Sequence, residues 1–276
     1  FNSIEKAKIN SLAYKVVKDF EKNETILSNL ASFKPEGGFS SVSQYNQTKT
    51  ISGRLTDANG SPKILTLPSR CRKIFDSRWG NEGCLIILDF KNLEPRVIRK
   101  INGKNSGDDI YKEIADTLDF EVDRVVIKRG IISTLYGLNT QIEGLSKDRS
   151  EAVLEATKSY FDLSLTLEKA EIVNDIGCRN NFFGRPIWNI DETKNHKIVN
   201  NYVQSTAVDI ALSYFSELCE TLNLDLCKPI FIIHDALVLD VHNDYKLELV
   251  NIAKKGYNCS ELGYFPIKLE NLSETY

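Results

Sequence analysis

Methionine is absent from all 276 residues. A fragment, a processed chain or modified methionines would each explain that, and an opening Phe1 sets the expectation of further sequence upstream. No run approaches the ~20 apolar residues that a membrane span needs, and no signal peptide opens the chain. Cys71, Cys84, Cys178, Cys219, Cys227 and Cys259 show no C-x-x-C spacing. Cys84 falls in a strand-like run and Cys219 in a helical one. This speaks against a zinc site or a disulfide framework and fits a reducing compartment. No internal repeat is visible.

Hydrophobic residues make up 42 % and charged residues 26 %, ordinary values for a globular chain. The length suffices for one large domain or two modest ones with a real core. The net charge of −3 speaks weakly against a nucleic-acid partner, but its distribution matters more. Basic residues cluster at Arg70, Arg72, Lys73 and Arg78, at Arg96, Arg99, Lys100 and Lys104, and at Arg124, Lys128 and Arg129. Acidic residues gather elsewhere, at Glu217, Glu220 and Asp225. The expected surface is polarised rather than acidic.

Apolar periodicity at Ile4, Leu12, Val16, Val17 and Phe20, then Ile26, Leu27 and Leu30, predicts two short helices over 1–34. A loop rich in Gly, Ser and Asn follows over 35–49. Residues 50–90 are irregular and β-like, ending in the apolar run Cys84-Leu-Ile-Ile-Leu-Asp89. Pro95 suits the first turn of a helix reaching about Ile101. Helical patterns continue over 108–118, 120–136, 148–172 and roughly 197–223. Pro229–Val241 is apolar on both sides of His234-Asp235, which predicts a hairpin with that dipeptide near its turn. A helix over 244–255 and a strand around Phe265–Leu269 close the pattern. Mixed elements with antiparallel hairpins predict an α+β fold rather than a doubly wound sheet.

Two aspartates stand out. Asp89 ends one apolar strand and Asp235 lies between two others. A carboxylate at the exit of a buried strand is held rigidly, and two brought together suit hard divalent cations. Such sites, with ions about 3.5–4 Å apart, carry in-line phosphoryl displacement. Taken singly, Asp235 also reads as a turn residue and Asp89 as a helix N-cap. Between them, Arg124, Lys128, Ile132 and Tyr136 are spaced by four and share one helix face. A guanidinium, an ammonium and an aromatic ring in that order suit a nucleoside triphosphate, with Gly137 ending the helix. In isolation the same face reads as a solvated basic stripe.

In this order the elements resemble the family A (DNA polymerase I-like) DNA polymerases. Asp89-Phe-Lys-Asn-Leu-Glu94-Pro-Arg96-Val97 is similar to their D-Y-S-Q-I-E-L-R-V. Arg124, Lys128, Ile132, Tyr136 and Gly137 fall in register with R-x3-K-x3-F-x3-Y-G, and Ile233-His234-Asp235-Ala236 with V-H-D-E. Thr50-Ile-Ser-Gly53-Arg54-Leu55 resembles T-x-T-G-R-L, and Leu67-Pro68-Ser-Arg70 resembles I-P-x-R. Ser106-Gly-Asp-Asp109-Ile110-Tyr111 is similar to G-x-D-I-H, and Phe183-Gly184-Arg185 to F-G-R-R. Asn200-Asn-Tyr-Val-Gln204-Ser-Thr206-Ala207-Val-Asp209 resembles N-x-P-x-Q-G-T-A-A-D. The likeness spans about residues 50–269.

The resemblance implies a right-hand polymerase fold with an antiparallel-sheet palm, helical fingers and a truncated or reduced thumb. Its expected parts are a thumb remnant over 1–49, palm over 50–100 and 200–276, and fingers over 101–199 with their key helix at 120–137. It implies dNTP addition to a primer 3′-hydroxyl, with primer-template DNA and dNTPs as partners and two Mg2+ ions that Mn2+ can replace. Asp89, Asp235 and the backbone carbonyl of Phe90 are the expected metal ligands. Arg124 and Lys128 grip the triphosphate, Lys128 also being catalytic. Ile132 and Tyr136 face the nucleotide, Glu94 excludes a 2′-hydroxyl, and His234 sits beside the primer terminus. Arg54, Arg70, Asn200, Gln204, Arg185 and Gly137 are the expected DNA contacts. The expected location is the cytoplasm of a bacterial or phage-infected cell, at the nucleoid, with an organelle as the alternative.

The pattern also breaks. Ile132 replaces an aromatic, Ala236 a Glu, Ser205 a Gly, and Leu65-Thr66 a Gln-Asn pair that meets the minor groove. The stretch from Asp89 to Arg124 is shorter than the family norm. Residues 1–49 are too few for a full thumb, and no exonuclease domain precedes them in this sequence. Weak DNA binding and low processivity are expected unless an upstream domain or a processivity partner completes the chain. Two other readings stand beside this one. A phage-type single-subunit RNA polymerase shares R-x3-K, Y-G and H-D but lacks the acidic gate at Glu94. A degenerate polymerase fold could serve only as a nucleic-acid-binding module.

Overall fold

The computed structural model describes residues 3–137, 141–175, 177–188 and 191–272, so the outermost residues of the expected terminal segments lie outside it. In chain order its main elements begin with helices α1 (Ser11–Phe20) and α2 (Glu24–Ala31) and strand β1 (Gly83–Phe90). Helices α3 (Leu93–Ile101), α4 (Ile110–Ala115), α5 (Arg124–Tyr136), α6 (Lys147–Phe161), α7 (Leu163–Ala170) and α8 (Asn195–Thr221) follow. Strands β2 (Cys227–Ile233) and β3 (Ala236–His242), helix α9 (Lys246–Lys255) and strand β4 (Ile267–Asn271) complete the set. The α+β expectation holds.

Two compact units divide the chain. The first comprises Phe1–Lys91, Ile210–Cys259 and Tyr264–Tyr276; the second comprises Asn92–Asp209 and Ser260–Gly263. The divisions therefore fall at Lys91/Asn92, Asp209/Ile210, Cys259/Ser260 and Gly263/Tyr264.

The first unit is organised by an antiparallel sheet in the order β4-β1-β3-β2. Strand β1 is central, and Leu85, Ile86, Ile87 and Leu88 are buried in succession, as a strand covered on both faces requires. The hairpin β2–β3 forms with His234-Asp235 as its two-residue connection. A register shift between Pro229 and Phe231 bulges edge strand β2. Its outward N–H at Ile232 donates to the Tyr45 hydroxyl at 2.8 Å, which blunts the open edge.

The N-terminal helices share this unit's core rather than standing apart. Val17, Leu30 and Phe33 pack in one cluster with Ile64, Phe75, Ile87, Phe231 and Val238. The Phe33, Phe75 and Phe231 rings meet at centroid distances of 4.8–6.2 Å. Asn10 and Asn23 cap α1 and α2 by accepting first-turn N–H bonds. The irregular stretch expected over 50–90 contains three 3-10 turns, Ile64–Thr66, Ser69–Ile74 and Gly80–Glu82, the first two just after Pro62 and Pro68.

The buried charge in this unit is Asp240 on β3, with no solvent exposure. It accepts from Ser77 Oγ at 2.7 Å, from Arg78 Nε at 2.9 Å and from the Arg78 backbone N–H at 3.0 Å. Arg78, counted among the clustered basic residues, is thus committed internally.

The second unit is helical. The single helix expected over 148–172 is two, because Asp162 turns left-handed (φ 52°) between α6 and α7. Buried Asn102 holds that break: its Nδ2 donates to the Phe161 and Asp162 carbonyls and to Thr166 Oγ1. Arg96 is buried as well and donates to the carbonyls of Gly107 and Asp108. Helix α5 starts at Arg124, not residue 120, because Asp123 takes extended backbone angles as its N-cap. Gly130 lets α5 approach α6; a Cβ there would lie 2.6 Å from Val153 Cγ1. Among the described residues no helix is long and apolar enough to cross a membrane.

Candidate active site

Each unit holds its own share of the predicted residues. In the first, β1 carries Asp89 to the end of the sheet, in register with Ala236 of β3 and Lys268 of β4. His234 enters the left-handed region (φ 58°), which a two-residue hairpin connection demands. The Phe90 N–H then donates to the Asp235 carbonyl at 3.4 Å, so the strand end is tied to the turn. The Phe90 ring is wedged among Tyr214, Phe215, Tyr257 and Phe265, which fixes the backbone immediately after Asp89.

This placement has an electrostatic signature. The Asp89 carboxyl is pushed up to about 6, first by burial and next by the negative charge of Asp235. Lys268 opposes that rise by hydrogen bond and charge, its Nζ lying 2.8 Å from Asp89 Oδ2. The same ammonium reaches Glu270 at 3.0 Å. His234 keeps solvent access, yet packing around its ring and then the charges of Arg54 and Arg72 hold it below the usual histidine range.

Two carboxylates whose mutual repulsion raises a pKa are a donor set that a hard cation would relieve. Among the described residues no cluster of three or more His, Cys, Asp or Glu offers a closed metal cage. Mg2+ does not require one, since it commonly takes one or two carboxylates and completes its octahedron with water and substrate phosphate oxygens. Asp89, Asp235 and the Phe90 carbonyl fit that pattern.

In the second unit, α5 presents Arg124, Lys128, Ile132 and Tyr136 on one solvent-exposed face. The Arg124 guanidinium lies 4.2 Å over the Tyr111 ring and 3.5 Å from Asp109 Oδ2. Tyr111 is buried and donates its hydroxyl to Asn92 Oδ1 at 2.7 Å, so Arg124 is aimed by a packed support. The Tyr136 hydroxyl accepts from Gln204 Nε2 at 3.0 Å, joining two predicted residues. Gly137 ends the helix at φ 68°, and a Cβ on it would lie 2.4–2.6 Å from the His196 ring. Glu94 occupies the first turn of α3, half-buried.

The other predicted residues are placed as follows. Arg54 is half-buried in a loop whose Thr50 hydroxyl donates to the Arg54 carbonyl at 2.9 Å. Arg70 is exposed and pairs with Glu21 at 2.8 Å. Arg185 pairs with Asp209 at 2.9 Å and donates to the Ser205 carbonyl at 3.0 Å, a loop-holding arrangement. Asn200 lies half-buried within α8. Sequence reasoning missed Lys268, Glu270 and the His196 contact. The alternation Ile267-Lys268-Leu269-Glu270 marks both charges as one face of a strand. Nothing in it named Asp89 as the partner across the sheet.

No family model matches the chain. It is 26 % identical over 258 residues to the DNA polymerase of Bacillus phage SP01, covering 76 % of this chain and 28 % of that protein. It is 25 % identical over 251 residues to the thermostable DNA polymerase I of Thermus filiformis, covering 77 % and 29 %. The chain thus spans less than a third of the length of these relatives. Its fold is similar to the POL domain of Pol1 from M. smegmatis, solved in complex with DNA primer-template and dNTP. The TM-score is 0.67 at 18 % identity, over 90 % of this chain and 50 % of that one. The chain thus has the fold of that polymerase domain.

Proposed function

We propose that the chain is the catalytic domain of a template-directed DNA polymerase, adding dNTPs to the 3′-hydroxyl of a primer on template DNA. The observation that carries this reading is the convergence of Asp89 and Asp235 at one end of the antiparallel sheet, tied by the bond from Phe90 to Asp235. Asp89, Asp235 and the Phe90 carbonyl would hold two Mg2+ ions, or Mn2+ in their place. When bound, the ions supply charge neutralisation on the attacking and leaving oxygens and lower the pKa of the primer hydroxyl.

The chain's own residues then position and neutralise. Arg124 offers the phosphates a two-pronged guanidinium already oriented by Tyr111. Lys128 offers a point charge one turn later, against the charge that develops on pyrophosphate. Ile132 gives the nucleotide an apolar wall without a stacking ring, and Tyr136, held by Gln204, guards the insertion position with Gly137. Glu94 excludes a 2′-hydroxyl. His234, kept neutral at pH 7 by its lowered pKa, hydrogen-bonds at the primer terminus without adding charge. Arg54, Arg70, Asn200 and Arg185 lie near primer-template. Arg185 is committed to Asp209 while exposed Arg70 is held only by a surface pair with Glu21, which leaves the duplex grip weak for a further domain or a processivity partner to complete.

Single-nucleotide primer extension with Mg2+ tests the reading, run with dNTP and with rNTP. The expected outcome is extension that prefers dNTP. A preference for rNTP would reassign the chain to the single-subunit RNA polymerases, and no extension with either would leave a binding module.

A further inference from the structure

Lys268 places a fixed positive charge inside the carboxylate site. It stands directly across from Asp89 in the β4–β1 pairing, so both side chains rise from the same face of the sheet. Glu270 follows two residues later on that face. One ammonium therefore lies between two carboxylates, 2.8 Å from Asp89 Oδ2 and 3.0 Å from Glu270 Oε1. On the other flank of Asp89 the register partner is Ala236, whose methyl group offers no charge.

We infer that Lys268 is a resident cation that a divalent ion must displace from Asp89, and that Glu270 is the acceptor that receives it. This rests on the reading of Asp89 and Asp235 as divalent-cation ligands. The ammonium and the ion compete for the same carboxylate, because two cations held on one group share its single negative charge and repel each other. Glu270, already 3.0 Å away, keeps the displaced lysine neutralised on the sheet. Lys268 is thus a positioning residue that sets the threshold for cation loading and keeps Asp89 paired between rounds.

The test is Mn2+ binding to the full chain without DNA or nucleotide, read by electron paramagnetic resonance. Lys268→Gln should bind Mn2+ roughly two- to fivefold more tightly than wild type, the scale of a partly exposed ion pair. Lys268→Arg keeps the charge and should stay close to wild type. Glu270→Gln should weaken binding, and that weakening should vanish in the double variant with Lys268→Gln, since the displaced lysine no longer needs an acceptor. Thermal melting of each variant shows whether it folds; if Lys268→Gln does not, Lys268→Arg and Glu270→Gln decide. Equal affinity of Lys268→Gln and wild type, or additive effects in the double variant, would overturn the inference while leaving the metal site standing. Mn2+ bound by no variant, or binding untouched by Asp89→Asn, would overturn the site reading and the inference with it.

Discussion

Asp89→Asn should stabilise the metal-free protein while removing its activity. The change is isosteric and takes away the charge that the site does not tolerate alone. Asp89 rises from an ordinary 3.8 to about 6 on folding, which corresponds to about 3 kcal/mol of disfavour for its ionised form. The sign follows from proton counts. Between those two values the folded chain holds the proton more tightly than the unfolded chain, so stability falls as pH rises through the window. The penalty is absent below ~4, is about half developed at pH 5 and is complete by pH 8. Asn escapes it, and the side chain is only 22 % exposed, so solvent screening does not erase the effect. Part of the rise comes from the Asp235 charge, which makes about 3 kcal/mol an upper bound. For a chain of this size that is up to about 6–12 °C in melting temperature. Differential scanning calorimetry in EDTA at pH 5 and pH 8 measures it. The Asn variant should melt higher at pH 8, by a smaller margin at pH 5, and Mg2+ should narrow the gap by stabilising wild type. A variant that melts level with or below wild type at pH 8 in EDTA would refute the reasoning.

Gly137→Ala should cost about 2 kcal/mol or more, since it meets both a left-handed backbone and the His196 ring; urea denaturation reads the loss. Asp240→Asn should cost about 2–3 kcal/mol, below the fully buried range because Arg78 keeps 18 % of its side-chain exposure, with a lowered midpoint at an unchanged denaturant slope. Arg124→Ala and Lys128→Ala sit on an exposed helix face and should melt within about 0.5 kcal/mol of wild type. Each should nonetheless lower kcat/KM for dNTP by about 10–100-fold in single-nucleotide extension, the range of one charge-assisted phosphate contact.

Much of this architecture was legible because its signals were local. The apolar runs ending at Asp89 and flanking Asp235 became strands of one sheet, and the spacing from Arg124 to Tyr136 placed one face of α5 in solvent. What escaped depended on partners distant in sequence. Lys268 is meaningful only because β4 pairs with β1 in a register that no local pattern encodes. The basic clusters read as a surface, yet Arg78 and Arg96 turn inward to Asp240 and to loop carbonyls, choices set by tertiary hydrogen bonding. Asp162 broke an unbroken helical periodicity because buried Asn102 satisfies the carbonyls at the break. The N-terminal helices belong to the sheet's core because Phe33 finds Phe75 and Phe231, residues far along the chain.

The most direct measurement of the central claim is primer extension with Mg2+ and dNTPs by wild type, Asp89→Asn and Asp235→Asn, each first shown to fold. Ala236 leaves the hairpin without a carboxylate next to Asp235. Measurable extension by wild type and none by either variant is the predicted result. Extension that survives either substitution would place the chemistry elsewhere.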